Sequence, residues 1–131
     1  LIKVLEEHIA RAKQDYPSLL VHEQPDGSVH IELPDFKLPD GWKNAKDDSG
    51  RIRILVILPI GYPSTKPNGF EADLSLRLQN DQTPSQGCGQ HQVNGQPWFH
   101  FCWQPQVWDQ NRENLWRYLK FIERRFADIK G

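Results

Sequence analysis

The sequence predicts an α+β fold, with a helix at each end of the chain and an antiparallel meander between them. Three observations carry this reading. Apolar residues recur at three- and four-residue steps in residues 1–15 and again after residue 109. Several short segments in between alternate apolar and polar residues. No internal repeat or second domain is visible in the 131 residues, so a single domain over 1–131 is expected.

The first helix follows from Ile2, Leu5, Ile9 and Ala12, with Lys3, Glu6, Glu7 and Lys13 elsewhere around it and Pro17 ending it. "SLLVHE" reads as a strand. "QPDGS" reads as a turn, because Pro25 presets φ and Gly27 tolerates positive φ. "VHIEL" alternates as a half-buried strand. Residues 34–50 read as loop, anchored by Phe36 and Trp42. "RIRILVILP" alternates and then becomes continuously apolar, as a strand covered on both faces toward its end would. "ADLSLRL" supplies a fourth alternating strand. Residues 79–97 are polar and turn-rich, and loops of that length are usually functional or disordered. An aromatic run, "WFHFCWQPQVW", follows. A last helix from about Asp109 carries the stripe Leu115, Leu119, Ile122 and Phe126. Asp109 can cap its first amides, and Arg124, Arg125 and Lys130 suit its C-terminal end.

Composition excludes some functions. A formal charge of −1 offers no electrostatic footprint for nucleic acid. No apolar run approaches the roughly 20 residues that span a bilayer, and Glu6, Glu7 and Arg11 interrupt the opening in a way a signal-peptide core does not. Two cysteines make no disulfide framework, so a reduced, cytoplasmic setting is expected.

"LPIGYPSTKPNGF", followed by a cysteine segment, a tryptophan and a helix, resembles the ubiquitin-conjugating enzyme family, nearest to bacterial members of the prokaryotic family E type. Tyr62, Pro63 and Pro67 match the family's Tyr-Pro…Pro signature, and Trp98, Phe101, Cys102 and Trp108 fit the bacterial pattern before the last helix. The resemblance implies a fold of N-terminal helix, four-stranded meander, active-site loop and C-terminal helix. It implies that Cys102 accepts a ubiquitin-like modifier as a thioester from an adenylating activating enzyme and passes it to a target protein. Several related bacterial systems serve antiviral defence. The N-terminal helix is the expected docking surface for the activating enzyme, and no cofactor or metal is implied. The family's usual His-Pro-Asn triplet, whose Asn is credited with stabilising the oxyanion, is absent here. Some bacterial relatives carry serine at the Cys102 position.

The chemistry suits cysteine, because thiolate is both a strong nucleophile and a good leaving group. A donor to the oxyanion still helps. His100, Gln104 and Asn94 are the available residues, and His100 shares a face with Cys102 if the segment is extended. Three alternatives stay open. Cys102 could be an inert buried thiol. The domain could bind a ubiquitin-like protein without transferring it. Or Cys88, His91, His100 and Cys102 could hold structural zinc in an interaction domain, although their spacing matches no standard finger. Arg117, Lys120, Arg124 and Arg125 read first as a solvated helix face. His8, His22 and His30 have no convergent partners in the sequence and are given no role.

Overall fold

A computed structural model of the chain describes residues 1–84, 89–105 and 107–128. Helix α1 (Lys3–Asp15) buries Leu5, Ile9 and Ala12, three of the four residues in the predicted stripe. Ile2 precedes the helix and stays exposed. Strands β1 (Leu20–Glu23), β2 (Val29–Lys37), β3 (Trp42–Asn44), β4 (Arg51–Leu58), β5 (Phe70–Ala72), β6 (Leu76–Leu78), β7 (Gln90–Val93) and β8 (Gln96–Phe101) follow, and helix α2 (Leu115–Asp128) closes the described part. Six strands form one antiparallel sheet in the order β1-β2-β4-β5-β8-β7, while β3 and β6 pair separately.

The meander is β1, β2, β4 and β5, which lie side by side; the first three match expected strands, and β5 meets the fourth only at Ala72. The sheet then continues. The polar stretch before the aromatic run holds β7 and a tight hairpin into β8, not one long loop. Asn94 and Gly95 both take positive φ, 50° and 79°, as the two central residues of a hairpin turn require. Two other differences have local causes. β2 runs past Pro34 because one extra residue bulges between Leu33 and Phe36, and a bulge is where a strand tolerates proline. The predicted strand over 72–78 splits at Asp73, whose carboxylate accepts from the Ser75 amide at 3.0 Å, so β5 and β6 enter different sheets.

The last helix starts at Leu115, not at Asp109. Asp109 instead caps a separate turn, accepting from the Asn111 amide at 3.0 Å. Asn114 caps α2, its Oδ1 accepting from the Arg117 amide at 2.9 Å. The two helices are clasped together: Trp116 Nε1 donates to Asp15 at 2.6 Å, and the Tyr16 hydroxyl donates to Glu123. The core lies between helices and sheet and includes Ile52, Ile54, Val56, Phe70, Phe101, Leu119 and Phe126. Trp42 ties β3 to the end of α2 by donating to the Phe126 carbonyl at 3.0 Å.

His30 is buried on β2. Burial pushes its pKa below the usual histidine range, Asp26 opposing this and His22 adding to it. A histidine kept neutral by the fold contributes stability that is present above the unfolded value near about 6.5 and lost as pH falls through the lowered folded value. Melting temperature should therefore fall between about pH 7 and pH 5, before carboxylates titrate, and less steeply in His30→Gln. Equal slopes for the two proteins would contradict this.

Candidate active site

The aromatic run is held by alternation. On β8, Phe99 and Phe101 face the helices while Trp98 and His100 face the other side. Phe101 stacks on Phe70 at 5.0 Å between ring centroids. After the strand, Trp103 is buried against Phe101 at 4.8 Å and Phe126 at 5.1 Å. The Tyr118 hydroxyl donates to the Trp103 carbonyl at 2.9 Å. Cys102 sits between these two core-anchored aromatics, has no regular secondary structure, and is exposed.

Gly69 fixes the backbone beside it. Its φ is +79°, and a Cβ there would overlap the Phe101 carbonyl oxygen and lie 3.1 Å from the Cys102 Cα. The preceding residue, Asn68, accepts from Gln104 Nε2 at 2.9 Å. A carboxamide pair thus joins the segment after Pro67 to the one after Cys102. Farther along, Trp108 Nε1 donates to the Pro63 carbonyl at 2.7 Å, and Tyr62 Oη lies 2.9 Å from His8 Nδ1 on α1. The Tyr62–Pro63 peptide is cis. Trp108 anchors this turn and also packs edge-on against Tyr118 in the first turn of α2, centroids 6.4 Å apart.

The candidate donors fall in different places. Gln104 is near Cys102 in the chain and bonded to Asn68. His100 is buried, with Nδ1 turned to the Glu71 carboxylate. Asn94 lies at the far end of β8 and donates to Gln24 at 3.1 Å, roughly 15–20 Å of strand away from Cys102. Asn68, Gly69 and Glu71 are absent from the sequence-based set; the Asn-Gly turn signal could have marked the first two.

Cys102 is disulfide-bonded, in contrast to the reduced state expected from cysteine count, and Cys88 lies outside the described residues. Of the four residues weighed for zinc, the described structure brings His91 and His100 together, with Glu71 as the third member of the group. Among the described residues no helix is long and apolar enough to cross a membrane.

Comparison with curated proteins and with solved structures returned no match. The sequence model described as prokaryotic E2 family E matches residues 13–128. That span takes in α1 from Lys13, every strand, the Tyr62–Pro63 turn, Cys102 and α2. By this match, and with the α+β architecture it accompanies, the chain belongs to prokaryotic E2 family E.

Proposed function

We propose that this protein is a ubiquitin-like-modifier conjugating enzyme that carries the modifier on Cys102. The observation that supports this most is the placement of Cys102: exposed, in irregular backbone, between Phe101 and Trp103, which are both fixed in the core. A large acyl-protein can reach a side chain there, whereas a strand interior would exclude it.

The Cys102 thiolate attacks the thioester carbonyl that joins the modifier to the activating enzyme. A new carbon–sulfur bond forms at Cys102 as the old one breaks, releasing the activating enzyme's thiolate. A target amine then attacks the same carbonyl, loses its proton, and Cys102 leaves as thiolate. In this reading Gln104 and Asn68 supply the carboxamide donor for the oxyanion, a role the missing His-Pro-Asn triplet leaves open. His100 serves the site by holding β8 in place. Partners are the modifier, an adenylating activating enzyme and a target protein. The setting is the bacterial cytoplasm, where the disulfide would be reduced, in a defence pathway.

One observation favours a second reading, a binding module without transfer: a disulfide-bonded Cys102 offers no thiolate. Protein reduced and desalted, then incubated with activating enzyme, modifier and ATP, separates the two. A thiol-sensitive adduct on non-reducing gels, lost in Cys102→Ala and kept in Cys88→Ala, is the expected result. Absence of an adduct while the activating enzyme itself is charged would reject transfer.

A further inference from the structure

On the face of the sheet opposite the helices, three strands converge on one point. Glu71 on β5 pairs with His100 on β8, and His91 on β7 comes from the edge strand. Glu71 Oε2 contacts His100 Nδ1, and Glu71 Oε1 lies 3.3 Å from His91 Nδ1. The two imidazoles are stacked, centroids 3.9 Å apart and planes within 13°. One potential ligand atom from each residue lies within 4.8 Å of the others. The Glu71 and His100 side chains are only 3% and 7% exposed, and His91 is 49% exposed.

We propose that Glu71, His91 and His100 form a divalent transition-metal site, with zinc as the ion whose chemistry fits best. Both imidazoles aim the same ring nitrogen at a single carboxylate, the geometry of three donors around one cation. Zinc–ligand bonds of 2.0–2.1 Å at tetrahedral angles place neighbouring donors roughly 3.3 Å apart, close to the Glu71–His91 separation. Two neutral imidazoles and a carboxylate are a nitrogen–oxygen set that zinc accepts readily and that calcium or magnesium, which favour all-oxygen shells, do not. A doubly charged ion also matches a buried carboxylate beside two stacked rings better than two protonated imidazoles would, since those would repel face to face. The open side at His91 admits the ion and leaves a fourth position for water. Metal here staples β7 and β8 to β5 and so holds the strand that ends just before Cys102. The site excludes Cys102 and is independent of the conjugation reading.

The test is a cobalt titration of the whole chain after chelator treatment and reduction with a phosphine. Equimolar Co²⁺ should give the visible bands of a four-coordinate nitrogen–oxygen site, displaced by Zn²⁺, without a near-ultraviolet sulfur-to-cobalt band. Zinc at a hundredfold excess over its Kd should raise Tm by on the order of 10 °C. His91→Ala, at an exposed position, should keep the metal-free Tm while weakening binding about 100-fold or more. Cys102→Ala should bind as the parent does. Glu71→Gln adds a second ligand test, but His91→Ala suffices if that variant fails to fold. Absence of saturable binding, unchanged affinity in His91→Ala, or a thiolate band lost in Cys102→Ala would each overturn the site.

Discussion

Replacing Gly69 with alanine should destabilise the protein by about 2–5 kcal/mol and sharply reduce whatever chemistry Cys102 performs. Two costs add: about 1–2 kcal/mol for a side chain in left-handed backbone, and about 1–3 kcal/mol for forcing an atom into a packed space. The second cost is local, because the new Cβ meets the Phe101 carbonyl and the Cys102 backbone. Gly41 provides the control. Its φ is +100°, yet a Cβ there has no neighbour within 4 Å. Gly41→Ala should therefore show only the backbone cost. Urea unfolding of the two variants gives the difference directly, and equal midpoints would contradict the packing argument. Against a domain stability of about 5–15 kcal/mol, Gly69→Ala stands to leave little reserve.

Truncating Phe126 to alanine is the other large effect, about 3–5 kcal/mol. Its ring is fully buried and meets Phe36, Trp42, Phe70, Phe101 and Trp103 at centroid distances of 5.0 to 6.0 Å. The neighbouring rings come from four strands and from the segment after Cys102, so they cannot all collapse into the space. Loss should extend beyond stability: Phe101 and Trp103 flank Cys102, and both lean on this ring. Phe126→Leu should cost less and retain more function. If Phe126→Ala shifted the urea midpoint by no more than a surface substitution does, the central aromatic cluster would not be holding the site.

Residues with strong local periodicity made the frame readable in advance. The stripes of α1 and α2 and the apolar run of β4 need only their own neighbours to declare a type. The Tyr62–Pro63 turn and Cys102 were also marked, by resemblance more than by physics. What escaped depends on partners distant in the chain or on a single turn. Pro34 argues for the end of a strand, and only pairing with β4 carries β2 through its bulge. Residues 72–78 alternate as one strand, but a turn at Asp73 divides them between two sheets. Asn94–Gly95 was legible as a hairpin turn and was outweighed by the polarity around it. Glu71 faces His100 across 29 residues of sequence, and no local pattern announces such a pair. The site shows the same division. Phe101 can be read as an anchor from its type, whereas Gly69 reaches Cys102 and Asn68 reaches Gln104 only through strand pairing.

The placement of Cys102 is the centre of the account. Its most direct test is peptide mapping of the adduct formed with activating enzyme, modifier and ATP, trapped without thiols and digested under mildly acidic conditions. The expected result is the modifier's C-terminal residue joined to the peptide that contains Cys102, by a bond that hydroxylamine cleaves. The same mass on the peptide containing Cys88, or no modified cysteine peptide despite a charged activating enzyme, would contradict it.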